Sequence, residues 1–113
     1  MPPDERYSRQ IRFGPIGETG QQRLSESRIL LVGLGALGTV AADQLVRAGV
    51  GFVRLVDHDF VELSNLQRQS LFDEDDIASN LPKAIAAETR LRRINSSVQI
   101  ETKVDDVDRK SVV

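Results

Sequence analysis

The stretch from Arg28 to Asp57 constrains this chain more than any other. Arg28-Ile-Leu-Leu-Val32 is an apolar run after one charge, short and rich in branched residues, as a central parallel strand buried on both faces would be. Gly33-Leu-Gly35-Ala36-Leu-Gly38 follows without a gap. Leu37, Val40, Ala41, Leu45 and Ala48 then recur at helical spacing, which predicts a helix buried along that stripe and closed by Gly49. Phe52-Val-Arg-Leu-Val56 reads as a second strand ending at Asp57. Strand, helix and strand within about 30 residues form a βαβ unit with a right-handed crossover.

Each glycine has a physical task in such a unit. Gly33 permits the tight turn, Gly35 lets backbone approach a phosphate, and Gly38 lets the helix pack on the strand. The helix start supplies free N–H groups and partial positive charge, which suit an anion. Asp57 stands 19 residues beyond Gly38, where the acid that binds a ribose is placed. For Asp59 a surface role and a ligand contact both stay open. These features predict nucleotide binding without separating an NAD-dependent oxidoreductase from an ATP-using enzyme.

The rest of the chain fits around that unit. Residues 1–27 form a polar arm, with helices expected over Asp4–Ile11 and Glu18–Ser25 on either side of Gly14-Pro15-Ile16-Gly17. Residues 57–80 read as largely irregular, with an acidic surface cluster at 73–76. Pro82 opens a further helix whose buried stripe is Ala84, Ala87, Leu91 and Ile94. Val98, Ile100, Thr102 and Val104 alternate with polar residues, the pattern of an edge strand. The fold class expected is α/β: a helical arm, then residues 28–113 as the N-terminal half of a Rossmann-like, doubly wound parallel sheet of order 3-2-1-4, truncated at its C-terminal end. In that half the first strand keeps an open edge able to pair with a second copy.

Composition narrows the chemistry. With 15 Lys+Arg against 17 Asp+Glu, the net charge of −2 does not suit a chain built to coat nucleic acid. No apolar run approaches a membrane span, and the first residues lack the apolar segment of a secretory signal, so a cytoplasmic location is expected. The absence of Cys excludes thiolate zinc sites and cysteine nucleophiles from this stretch, and one His excludes multi-histidine metal sites. Asn65-Leu-Gln-Arg68-Gln69 then tips the balance away from hydride transfer, which needs no such cluster, towards phosphate chemistry, which needs polar donors and fixed cations. A helix cap at Asn65 and a solvated charge at Arg68 are the plainer alternative. Lys83 falls in a helical first turn, where the macrodipole disfavours a cation unless a polyanion binds there.

Taken together, Arg6-Tyr-Ser-Arg9-Gln10, Leu31–Gly38, Ala48-Gly-Val-Gly51, Leu55-Val-Asp57-His-Asp59, Ser64–Gln69 and Pro82-Lys83 resemble the adenylyltransferases of the ThiF/MoeB/HesA family. The resemblance implies ATP-dependent activation of a small β-grasp sulfur-carrier protein, in thiamine or molybdopterin biosynthesis or a related pathway. The carrier's C-terminal glycine carboxylate would attack the α-phosphate of ATP, giving an acyl-adenylate and pyrophosphate. It further implies that the glycine loop, including Ala36 where the family often has glycine, holds phosphate and that Asp57 holds ribose. Asn65, Arg68 and Lys83 would contact phosphates, with Gln69 a lesser helper. Arg9 would reach a neighbouring subunit's site in a homodimer. The Mg2+ ligand of the family follows a later strand and is expected outside this chain. The alternatives weighed are an NAD-binding oxidoreductase domain, a relative that adenylylates a tRNA base or a peptide, and a non-catalytic partner subunit.

Overall fold

A computed structural model describes residues 3–105. The expected half-domain over 28–113 therefore has its last residues, 106–113, outside the described range, as the arm has residues 1–2. The arm carries α1 (Pro3–Arg6), α2 (Ser8–Arg12) and α3 (Gly17–Glu26). Then come β1 (Arg28–Val32), α4 (Ala36–Ala48), β2 (Phe52–Val56), α5 (Glu74–Ala78), α6 (Lys83–Ile94) and β3 (Gln99–Lys103). The strands form one parallel sheet of order β1-β2-β3, paired from Arg28↔Phe52 to Val32↔Val56 and from Phe52↔Gln99 to Val56↔Lys103. This is the 3-2-1 part of the expected order. No helix among the described residues is long and apolar enough to cross a membrane.

The core lies between one sheet face and the two crossover helices. Val53, Leu55 and Ile100 of the sheet meet Ala42 and Val46 of α4 and Ala84, Ala87 and Leu91 of α6, all buried. Parallel strands joined by helices need their C-terminal ends on one side, so the N-termini of α4 and α6 both follow the strand tips there. That shared end is where β1 meets the glycine loop and β2 meets Asp57.

Four expectations change in the structure. The first arm helix is two, because Tyr7 at φ −106°, ψ 14° leaves helical geometry while its ring becomes buried. β1 is covered on one face only: Leu30 is 41% and Val32 57% exposed, while Ile29 and Leu31 pack against the core. That open face also carries charges, with the Arg28 guanidinium 4.2 Å from the Phe52 ring centre and Arg54 Nη2 2.8 Å from Glu101 Oε2.

α4 buries only part of the stripe its apolar residues suggest: Leu45 packs against the core, and the stripe's first turn does not. Leu37 is 87% and Val40 49% exposed, and the core face is Thr39, Ala42 and Val46. Thr39 can be buried because its hydroxyl donates back to Gly35 O at 2.8 Å. The loop over 57–80 also contains structure, a 3-10 turn (Leu63–Asn65) and α5.

The acidic cluster starts α5. Asp73 Oδ1 accepts from Asp76 N at 3.1 Å, and Asp76 Oδ2 accepts from Asp73 N at 2.9 Å. Burial pushes the Asp76 carboxyl above its ordinary value, opposed by the Asp73 N–H and reinforced by the Asp73 charge. A carboxylate raised in the folded state costs stability as pH climbs through and above the ordinary carboxylate range. Asp76→Asn keeps an acceptor without the charge. It should raise the thermal midpoint by about 2 °C at neutral pH and leave it unchanged below about pH 3, where Asp76 is already neutral in both states.

Candidate nucleotide-binding site

β1 ends by donating Gly33 N–H to Val56 O at 2.8 Å, and the chain then turns through Gly33 at φ +89°. That conformation favours glycine. Gly35 is the N-cap of α4 and no side chain among the described residues caps this helix, which leaves its first N–H groups open. A Cβ added at Gly35 would meet nothing within 4 Å, whereas one at Gly38 would overlap the Gly33 carbonyl. Gly33 thus makes the turn and Gly38 the close packing, while Gly35 faces open space. Ala36, the first residue of α4, is half-buried.

Asp57 is buried at the tip of β2, and its carboxylate ties two loops together. Oδ2 accepts from Leu34 N at 2.7 Å, and Oδ1 accepts from Asp59 N at 2.7 Å. Asp59 carries the connection on. Its carbonyl accepts from Lys83 N at 2.9 Å, and its Oδ2 lies 3.9 Å from Lys83 Nζ. His58 places Nε2 3.1 Å from Asp59 Oδ1. A bridge between Phe60 and Pro82 closes the same seam. A continuous path of short contacts therefore links the glycine loop, Asp57, Asp59 and the start of α6.

Lys83 is the unusual member. It is only 6% exposed, in the first turn of a 12-residue helix, with a half-exposed carboxylate at ion-pair distance. Such a pair is worth little, and no hydrogen bond from its ammonium is found among the described residues. Burial and the macrodipole both weigh against a cation there, so an anionic ligand is its natural complement.

Among the described residues no hydrogen bond or ion pair found joins the other candidates to that path. Asn65 is buried, and its Oδ1 accepts from Glu62 N at 2.8 Å, capping the 3-10 turn. Arg68 is exposed, and its Nη1 donates to Ser64 O at 3.0 Å. In these contacts both fill the plainer roles of cap and surface charge. Gln69 is 3% exposed, and its Oε1 has no hydrogen-bond partner among the described residues. The segment is joined to the seam through Val61 N and Leu81 O, 3.0 Å apart.

Arg9 is exposed. The next residue, Gln10, donates Nε2 to Ala48 O at the end of α4. From Ala36 to Ala48 a helix rises about 18 Å, much farther than an arginine side chain extends. Arg9 therefore does not meet the glycine loop of its own chain. Among the described residues no group of three or more His, Cys, Asp or Glu could hold a metal ion.

The family model "ThiF family" matches residues 7–113. The chain belongs to the ThiF family. Among ThiF relatives it is 55% identical over 107 residues to the sulfur carrier protein ThiS adenylyltransferase of Bacillus subtilis, covering 95% of this chain and 32% of that one. It is 46% identical over 97 residues to the molybdopterin-synthase adenylyltransferase of Haemophilus influenzae, covering 86% and 39%. The structure is similar to the E. coli tRNA N6-threonylcarbamoyladenosine dehydratase in complex with ATP, with a TM-score of 0.83, 30% identity, and coverage of 96% of this chain and 43% of that one. This ThiF chain thus spans about a third of the length of the curated relatives it matches.

Proposed function

We propose that this chain is the nucleotide-binding part of an ATP-dependent adenylyltransferase that activates the C-terminal carboxylate of a small β-grasp sulfur-carrier protein. The observation that carries the reading is the bonded path from the glycine loop through Asp57 and Asp59 to a buried lysine whose ammonium has no hydrogen-bonded acceptor among the described residues. A triphosphate laid from the start of α4 to the start of α6 meets two helix N-termini and one ammonium. The names of its ThiF relatives support the carrier as substrate, and the higher identity to the sulfur-carrier enzymes than to the tRNA dehydratase favours it over a tRNA base. The ATP complex of that dehydratase supports the nucleotide.

The chemistry sets the demand on the site. The nucleophile is a carboxylate that is already ionised, so no general base is needed. The obstacle is the approach of an anion to a polyphosphate, where two unit charges 4 Å apart repel by about 4 kcal/mol at an effective dielectric near 20. Cations fixed in advance offset that repulsion and stabilise charge developing on the phosphoryl oxygens. In this reading Lys83 supplies the fixed cation. Arg68 leaves Ser64 O and swings to the phosphates, and Asn65 and Gln69 shape the wall from which it swings. Asp57 has a free lone pair on each oxygen for a ribose hydroxyl while it holds the loop. Mg2+ would supply further charge neutralisation on the phosphates, and we assign no residue of this chain to it.

Calorimetric titration of the chain with ATP and with NAD separates the two nucleotide classes. ATP should bind and NAD should not. Binding of NAD with no binding of ATP would overturn the proposal.

A further inference from the structure

We propose that His58 is a positioning residue that acts on Lys83 through Asp59: the Asp59 carboxylate pairs with the Lys83 ammonium in the free protein, passes to the His58 imidazole when a triphosphate takes that ammonium, and so couples ATP binding to the uptake of a proton. The inference rests on the proposed function, through the part given there to Lys83.

One carboxylate stands between two nitrogen partners. Asp59 Oδ1 lies 3.1 Å from His58 Nε2, and Oδ2 lies 3.9 Å from Lys83 Nζ. The Asp59 main chain is fixed on both sides. Its N–H donates to Asp57 Oδ1 at 2.7 Å, and its carbonyl accepts from Lys83 N at 2.9 Å. The carboxylate itself is 55% exposed, and among the described residues only those two ion-pair contacts are found for it. It can therefore turn about its side-chain bonds while the seam stays closed. The partners differ in setting: the Lys83 side chain is 8% exposed and the His58 side chain 61%.

These distances suit a counter-ion that lets go. A long pair with a half-exposed carboxylate is worth little, enough to orient a buried ammonium and too little to compete with a polyphosphate. Once phosphate oxygens share that ammonium, they repel the carboxylate, and the exposed group is the one that moves. The imidazole already beside Oδ1 receives it. A neighbouring carboxylate favours the protonated imidazole, and more so when it no longer serves a second cation. The other charged residues of the adjoining segments are Asp57, Glu62 and, at the tip of β3, Lys103, whose carbonyl accepts from Asp57 N at 3.1 Å. Of these residue types only histidine ordinarily changes charge between about pH 6 and 8. The sign follows. Protonated His58 draws Asp59 off Lys83 and frees the ammonium, so ATP affinity gains as pH falls through that range, and by linkage ATP binding takes up a proton.

The test is calorimetric titration with ATP at about pH 6 and about pH 8. The terminal phosphate of ATP also titrates there, so each variant is compared with wild type at the same pH. At about pH 8, Asp59→Asn should bind ATP about threefold more tightly than wild type, because the competing charge is gone. At about pH 6 those two should bind alike. His58→Gln should match wild type at about pH 8 and bind about threefold more weakly at about pH 6. On the Asp59→Asn background, His58→Gln should change nothing at either pH, because its effect passes through Asp59. In buffers of different ionisation enthalpy at about pH 7, wild type should take up more protons per ATP bound than His58→Gln. Equal losses from His58→Gln with and without the Asp59 carboxylate would mean that the imidazole meets the phosphates directly, and they overturn the positioning role. An Asp59→Asn protein that binds ATP no more tightly than wild type at about pH 8 overturns the displacement. Identical affinities of wild type and His58→Gln at both pH values overturn the proton link. Wild-type protein that binds no ATP overturns the proposed function itself.

Discussion

Lys83→Met will weaken ATP binding about 100-fold while leaving the thermal midpoint unchanged or slightly raised. The two halves of this result come from one geometry. Lys83 is 6% exposed at the first turn of α6, with Asp59 Oδ2 3.9 Å away and half exposed. A pair so placed adds little to folding, and methionine removes a cation from the positive end of a helix. For a bound triphosphate the loss is different. A desolvated ammonium against phosphate oxygens contributes roughly 2–3 kcal/mol, which is about 30- to 150-fold in affinity. Calorimetry with ATP and a melting curve check both. A fall in thermal midpoint with unchanged ATP affinity would make Lys83 a structural residue.

Asp57→Ala will have the largest effect on the fold, a loss of about 2–4 kcal/mol in unfolding free energy measured by urea denaturation. Its carboxylate accepts from Leu34 N and Asp59 N, each at 2.7 Å. Leu34 is 0% exposed, so its N–H cannot turn to water when the acceptor goes. An unsatisfied buried donor costs about 1–3 kcal/mol, and the second donor adds to it. Asp57→Asn retains one acceptor and should fall between alanine and wild type. Because the same carboxylate joins the glycine loop to the seam carrying Lys83, ATP affinity should fall in the same order. A stable Asp57→Ala protein would mean the loop is held by something else.

Much of this was legible in the sequence, for identifiable reasons. The order strand, glycines, helix, strand and acid admits few folds, and it gave β1, α4, β2 and the place of Asp57. The misfit of a lysine in a first turn pointed to the seam at α6. The buried face of α4 was less legible, because Leu37 and Val40 mark a stripe as apolar as the true one, and Thr39 is buried only by virtue of a bond to its own helix. The bare face of β1 was hidden for a related reason: Leu30 and Val32 read as core in a strand whose neighbours were unknown.

The buried Tyr7 was the least legible feature. Its partners, Gly49 and Asn95, lie 42 and 88 residues away, and no local pattern links them. The one available signal was an Asn at a helix end beside a Gly-closed helix. Asn65 shows the opposite case: a polar cluster raised the expectation of a ligand contact, while the local bond it makes is a cap on Glu62 N.

In the proposed complex a triphosphate spans the starts of α4 and α6. A crystal structure of the chain with ATP should show phosphate oxygens within hydrogen-bonding distance of the first N–H groups of α4 and of Lys83 Nζ. A triphosphate bound elsewhere, with Lys83 still facing Asp59, would overturn the proposal.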